Sequence, residues 1–432
     1  MRILFVTASP VNMSLSVGNT FLNVLEDFED LELFSLYSKS GLPDDRIQKA
    51  FRITEKDVLR RILHKGGQGK EITERYEVSP TEDFKSETEK KVYNSMRKMR
   101  FTPFFWIQNL IWDTGKWKTE ALDAFLEEIK PDVIVTLLSD SKYLNKRVLY
   151  VLKKTDAKLF LYAWDNNYSY KMFSWSPLVW LNRFINRHSM KQVAKKADVF
   201  YVISEIQKHD YEKAFNRNCK LLTKSADFSV PPALKETYNK PLQLVFTGNI
   251  GMNRWKSLAI IAKALQILNA DGVQAQLRIY TGTPLSEKMK SALQIEDTSF
   301  IMGSVPASEI PKIQREADML VHVEAFDLRN RLYVRQSFST KLVDYFKTAR
   351  PILAVGPFEV ASMAHLTQND CALTAETAEE LAEKLTAVIA APEKLDVLAQ
   401  QAYLCGKNHH DKAKINQMLR EDFAELMNKS DA

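Results

Sequence analysis

The sequence predicts an α/β chain built as two doubly wound domains, each with a mostly parallel sheet, and three observations lead there. At 432 residues the chain is too long for one ordinary core and suits two domains of roughly 200 residues each. Apolar runs of strand length alternate with helical patterns in both halves, and strands that alternate with helices form a parallel sheet covered on both faces. Between Asp227 and Pro241 the composition turns to Pro231-Pro232 and polar residues, which marks a linker. The domains are therefore placed at 1–230 and 241–408, with a last helical stretch, 412–432, beyond a Gly-Lys-Asn-His-His break at 406–410.

In the first half the expected strands are Arg2 to Thr7, Leu31 to Leu36, Val133 to Leu138, Lys158 to Ala163 and Val199 to Ile203, each rich in apolar or β-branched residues. Helical patterns at Thr119 to Ile129 and Met190 to Lys196 separate them. The charged segment Ser40 to Thr102 contains no obvious strand and reads as helices on one side of the domain. In the second half, strands are expected at Leu242 to Phe246, Ala275 to Tyr280, Ser299 to Met302, Met319 to Val323 and Pro351 to Val355. Helices are expected at Lys256 to Asn269, Ser286 to Leu293, Ile310 to Glu316, Lys341 to Thr348 and Glu379 to Ile389.

Composition narrows the class. Hydrophobic residues at 45% and charged residues at 26% describe a globular chain. No run of about 18 apolar residues is long enough for a spanning helix. Met1 to Thr7 reads as a buried strand ending before Pro10, not as a secretory leader. Cys219, Cys371 and Cys405 are few and odd in number, which implies a reduced, cytoplasmic protein without a disulfide framework. Net charge is +6. From Tyr168 to Lys196 there are seven Lys, Arg or His residues and no acid, interleaved with Phe173, Trp175, Trp180 and Phe184. Basic residues mixed with aromatics suit an anionic membrane surface or nucleic acid, and no nucleic-acid motif accompanies them. The run Phe101 to Ile107 adds further aromatics; core packing is the alternative reading of both stretches.

The chemistry concentrates in Ser339-Thr340-Lys341-Leu342-Val343-Asp344-Tyr345, followed by the strand Pro351-Ile352-Leu353-Ala354-Val355. A small-residue turn that opens a helix offers backbone donors and a cation to a diphosphate, and an acid one turn on can accept hydrogen bonds from both ribose hydroxyls. The acid also complements the helix dipole by itself. At the first strand of the second half, Thr247-Gly248-Asn249-Ile250-Gly251 lets backbone approach a ligand closely, and Arg254, with Lys256 as fallback, supplies phosphate-binding charge. Glu324 ends the strand Met319 to Val323, at the carboxyl edge where ligands bind in open parallel sheets. The loop Asp327 to Gln336 carries Arg329, Arg331 and Arg335.

These motifs resemble the nucleotide-sugar-dependent glycosyltransferases of GT-B architecture, of the group 1 or family 4-like kind found in bacterial surface polysaccharide biosynthesis. Those enzymes carry a Ser-x-Lys-hydrophobic-hydrophobic-acid-Tyr segment before a Pro-Val-Ile-Ala-like strand, and the resemblance covers most of residues 241 to 400. It implies two Rossmann-like domains facing across a cleft, the first binding acceptor and the second nucleotide sugar, with the C-terminal helix crossing back to the first. It implies that Asp344 holds the ribose and that Gly248, Asn249, Gly251, Arg254, Ser339, Thr340 and Lys341 hold the diphosphate. The chain departs from the pattern at Gln336, where many retaining members have the first acid of a Glu-x7-Glu pair.

An inverting transfer needs a base beside the acceptor hydroxyl. Asp165, closing the strand Lys158 to Ala163, is the preferred candidate, with an Asx-turn cap as its alternative role; Glu324 is the second carboxylate assigned to catalysis. Gly18-Asn19-Thr20, in a long loop expected from Ser9, offers a further approach to donor or acceptor. No histidine or carboxylate cluster has metal-ligand spacing and no Asp-x-Asp stands out, so the expectation is a metal-independent enzyme with no resident cofactor. The expected partners are a nucleotide diphosphate-sugar donor and a glycan or lipid-linked acceptor, with peripheral contact at the inner face of the cell membrane and no nucleic acid. Two other readings remain: an epimerase of the same fold, which needs no acceptor, and a non-catalytic binding subunit, favoured by Gln336.

Overall fold

A computed structural model describes residues 1–13, 16–72 and 102–428. Arg2–Val6 (β1), Glu32–Tyr37 (β2), Ile47–Arg52 (β3), Lys70–Ile72 (β4), Val133–Leu137 (β5), Lys158–Ala163 (β6), Val199–Val202 (β7) and Lys220–Leu221 (β8) form the first sheet. Its order is β4-β3-β2-β1-β5-β6-β7-β8, parallel except at the β3–β4 edge. Leu242–Thr247 (β9), Ala275–Tyr280 (β10), Ser299–Gly303 (β11), Met319–Val323 (β12), Ile352–Val355 (β13) and Leu373–Ala375 (β14) form a second, all-parallel sheet in the order β11-β10-β9-β12-β13-β14. Both orders reverse direction once, between β1 and β5 and between β9 and β12. Such switch points leave a crevice beyond the carboxyl ends of the strands.

Alternation along the central strands builds the cores. Ile3 and Phe5 pack on one face of the first sheet and Leu4 and Val6 on the other, all fully buried. Leu244 and Phe246 take one face of the second sheet and Val245 the other. The central strands are therefore apolar on both sides.

Several expectations need correction. The charged segment after Ser40 contains β3, which buries Ala50 and Phe51 beside Lys49, and the short edge strand β4; residues 73–101 lie outside the described residues. The helix expected at Met190 begins at Pro177 and runs to Lys196. The loop Asp327 to Gln336 is largely a helix, Leu328–Val334, capped by the Asp327 side chain accepting from the Asn330 amide. The expected N-terminal loop gives way to helix Ser16–Val24, where a Cβ on Gly18 would fall 2.0 Å from the Asn12 carbonyl oxygen. The break expected at 406–410 is confined to His410-Asp411, because helix Glu393–His409 continues through Gly406. A Cβ there would sit 2.5 Å from the Phe228 ring and 2.6 Å from Phe346 Cβ. This glycine brings helices together.

The chain reverses at His410-Asp411, and helix Lys412–Asn428 lies on the first domain. Phe423 meets the rings of Phe28 and Phe160, Tyr201 donates to Asp422, and Lys412 pairs with Glu26 and Asp27 at 2.9 and 3.0 Å. The outgoing linker and this returning segment run side by side, joined at Ala226 and Asp411. Phe423→Ala is expected to destabilise the protein by about 3–5 kcal/mol in urea unfolding. A loss below about 1 kcal/mol would mean that the returning helix is not part of the first core.

Candidate active site

The switch point of the second sheet gathers charge from three segments distant in sequence. β9 ends at Thr247, and Gly248 follows with φ +135°, a conformation that favours glycine. Lys341, the first residue of helix Lys341–Thr348, reaches across this glycine to donate from Nζ to the Thr247 carbonyl at 3.0 Å, and lies over the Phe246 ring. A Cβ on Gly248 would be 2.7 Å from that nitrogen. The glycine therefore makes room for Lys341 before it makes room for any ligand.

The remaining loop is held by its own bonds. Gly248 N–H donates to the Tyr280 carbonyl, Ile250 N–H to Thr283 Oγ1 and Gly251 N–H to Asn249 Oδ1 at 2.6 Å. Met252 and Asn253 adopt left-handed φ values of 56° and 61° and turn the chain into helix Arg254–Leu268. That turn delivers Arg254 onto Glu324, with Nε and Nη2 donating at 3.1 and 3.3 Å. Lys256 is exposed and outside this cluster.

Glu324 does not face the cleft as the sequence suggested. It is buried, with its carbonyl accepting from Ser257 Oγ at 2.6 Å and its Cβ pressed close to Gly356. Burial raises its pKa and the Arg254 guanidinium opposes that rise. His322, two residues earlier on β12, was not singled out from the sequence. Its Nε2 lies 3.7 Å from Glu324, and burial, then the Lys341 and Arg254 charges, hold its pKa well below the usual histidine value, so it is neutral. A histidine inside the apolar strand Met-Leu-Val-His-Val was the available signal. Lys341 is pushed down to about 8 by burial and by Arg254, with Glu324 in opposition. With Arg254 and Lys341 charged and Glu324 ionised, the cluster carries a net single positive charge.

Beside it, Ser339 N–H donates to Ser362 Oγ at 2.9 Å, which fixes the turn, and Thr340 is the exposed N-cap, making no side-chain cap bond. Asp344 sits one turn into the helix, about half exposed, and binds Lys224 Nζ at 2.6 Å. Lys224 lies between β8 and the linker, 120 residues earlier, and nothing local in the sequence pointed to it.

Residues 241–391, which hold this whole cluster, match the family model described as Glycosyl transferases group 1. The second domain is similar to that family along its length. Anabaena HepE, solved in complex with UDP, superposes with a TM-score of 0.63 at 14% identity, covering 98% of this chain and 100% of that one. Sucrose-phosphate synthase from Thermosynechococcus elongatus gives 0.59 at 11% identity over 99% of each chain. The N-terminal domain of Candida albicans trehalose-6-phosphate phosphatase gives 0.58 at 10% identity, covering 98% and 96%. These likenesses carry the fold, which is GT-B along nearly the whole chain. No curated protein matches in sequence.

The first domain meets the second at Arg335-Gln336-Ser337 and, just before it, at Leu332, whose carbonyl accepts from Asn166 Nδ2 at 3.0 Å. Both Arg335 Nη groups and Gln336 Nε2 donate to one oxygen of Asp210, at 2.9, 2.7 and 2.6 Å. Ser204 Oγ donates to the Gln336 carbonyl, and Ser337 Oγ donates to Asp165 Oδ1 at 3.1 Å. Asp165 is exposed just beyond β6, and its carbonyl accepts from Gln207 Nε2. Its carboxylate therefore faces the second domain. Gln336, by contrast, is fully buried and committed to Asp210. Among the described residues, no three His, Cys, Asp or Glu side chains converge to hold a metal ion.

Proposed function

We propose that the protein transfers a sugar from a nucleotide diphosphate-sugar to a hydroxyl of a glycan or lipid-linked acceptor in cell-surface polysaccharide synthesis, working at the cytoplasmic face of the membrane. The observation that carries this reading is the net positive Arg254–Glu324–Lys341 cluster at the β9/β12 switch point, beside the start of helix Lys341–Thr348. Glu324 orients Arg254, while Lys341, Arg254 and the helix start neutralise the leaving diphosphate as charge develops on it. Asp344 takes the ribose hydroxyls after parting from Lys224. Asp165 accepts the acceptor proton, and the Ser337 hydroxyl fixes one oxygen of its carboxylate. Diphosphate neutralisation by these groups requires no resident cofactor and no divalent ion.

The test is a thermal-shift and nucleotide-release screen against UDP-, GDP-, dTDP- and CMP-sugars, with and without EDTA, using Asp344→Ala as control. One diphosphate sugar is expected to stabilise the wild type and to be slowly hydrolysed, unaffected by EDTA, with both responses lost in the variant. Binding without turnover in any acceptor mixture would instead favour a non-catalytic subunit, for which the sequestered Gln336 speaks. Rearrangement of the donor without acceptor would identify an epimerase. The absence of all binding would sink the assignment of Ser339 to Asp344.

A further inference from the structure

The exposed face of helix Pro177–Lys196 changes chemistry along its length. Its buried side is Asn186, Ser189, Met190, Val193 and Ala194. Leu181, Phe184, His188, Lys191 and Lys195 recur every three or four residues on the opposite side, and all are exposed. The first turns of this stripe are apolar, Leu181 and Phe184 being 48% and 64% exposed, with Leu178 beside them; the last turns are basic. Trp175, stacked edge-on to Phe173 just before the helix, is 88% exposed. Helix Thr102–Asp113 lies alongside, tied by Trp106 Nε1 donating to Asn182 Oδ1 at 3.2 Å, and exposes Ile107 and Leu110. Of the aromatic run read from the sequence, Phe101 lies outside the described residues.

Single exposed apolar side chains are ordinary, but five on two joined helices, with Trp175 just before one of them, call for an occupant. Charge identifies it. From Asn166 to Ala197 the chain has no Asp or Glu, so the apolar patch continues into an uncompensated basic one. An anionic bilayer matches both halves, since lipid headgroups meet the lysines while Trp175, Leu181 and Phe184 enter the acyl boundary.

Two cations of the same helix point inward instead. Arg183 Nε donates to the Ser169 carbonyl at 3.0 Å and its Nη2 to the Asn166 carbonyl at 2.8 Å. Arg187 lies 3.8 Å from the ring centroids of both Tyr168 and Tyr170 and donates to the Tyr168 carbonyl. The loop after β6, which begins at Asp165, is thereby fastened to the stripe-bearing helix. We infer that this face docks on an anionic lipid bilayer and, through Arg183 and Arg187, holds the Asp165 loop against the membrane surface where a lipid-linked hydroxyl arrives. The docking stands on the surface alone, and the role given to Asp165 rests on the transferase reading above.

The test is co-sedimentation of the full chain with phosphatidylcholine vesicles, with and without phosphatidylglycerol, alongside donor hydrolysis in the same samples. The wild type is expected to bind only the anionic vesicles. The Trp175→Ser, Leu181→Ser, Phe184→Ser triple variant should bind at least tenfold more weakly, with its melting temperature and donor hydrolysis retained. Lys191→Glu with Lys195→Glu, which leaves the apolar residues in place, should lose binding likewise and most strongly at low salt. Wild-type protein that ignores anionic vesicles, or variants that bind them unchanged, would overturn the inference. So would a wild-type dimer that the triple variant converts to monomer, which would identify a second copy as the occupant. Loss of donor hydrolysis with vesicle binding intact would count against the transferase reading alone.

Discussion

Lys341→Met is expected to weaken nucleotide diphosphate-sugar binding by roughly 100-fold, about 3 kcal/mol, without unfolding the protein. Arg254 is already matched by Glu324, so removing Lys341 takes the cluster from one net positive charge to none. Isothermal titration with the donor found by the screen measures the loss directly. Gly248→Ala should give a comparable defect by another route. The new Cβ would stand 2.7 Å from Lys341 Nζ, at a φ of +135° that disfavours alanine, so the ammonium must leave the Thr247 carbonyl. Near wild-type affinity in both variants would mean that the diphosphate lies elsewhere.

The same residue sets a pH dependence whose two consequences have opposite signs. Burial lowers Lys341 from the ordinary lysine value of 10.5 to about 8. Between those values the folded chain binds fewer protons here than the unfolded chain, so raising the pH through this window favours folding at this residue. Donor binding needs the ammonium, so affinity should fall over the same window, starting near pH 8. In Lys341→Met this fall should vanish. Titration of affinity from pH 7 to 9.5 checks it, provided that melting curves show the fold intact throughout.

What could be read from the sequence followed local pattern. β1, β9, β12 and β13 are apolar on both faces and were recognised because central parallel strands need nothing else. β3 and β4 were missed because this end of the sheet keeps Lys49, Lys70 and Glu71 at least partly in water, and those charges hide the strand pattern. Helix Pro177–Lys196 was seen only from Met190, since Leu181 and Phe184 disrupt the amphipathic pattern by facing outward. At the site, Lys341, Arg254 and the two glycines were legible from residue type and position after a strand. Their relation was not. Glu324 reaches Arg254 over 70 residues and Lys224 reaches Asp344 over 120, and such pairings are created only by the fold.

Gln336→Glu, which installs the acid found in many retaining enzymes of this architecture, is expected to damage the protein. Gln336 Nε2 is one of three donors to a single Asp210 oxygen, and its own Oε1 is buried without a partner. A carboxyl placed there meets Asp210 at hydrogen-bonding distance and can be accommodated only by keeping its proton. Its pKa in the folded state is then raised above the ordinary glutamate value. A group shifted in that direction carries its full stability contribution below the unfolded pKa and loses it as pH rises through the folded one. The variant should therefore be destabilised by about 2–4 kcal/mol at pH 7 and much less near pH 4. The segment that weakens helps to join the domains, so donor hydrolysis should fall with stability. Asp210→Asn in the same chain removes the opposing charge and is expected to restore much of both, a coupling that a double-mutant cycle reads as non-additivity. A Gln336→Glu protein as stable as the wild type at pH 7, with undiminished hydrolysis, would show that this residue can turn away from Asp210 toward the donor. The clamp would then be one conformation among several. If the variant fails and is rescued, the missing acid follows from how this chain joins its domains: the position that supplies a carboxylate to the sugar elsewhere is used here to hold Asp210.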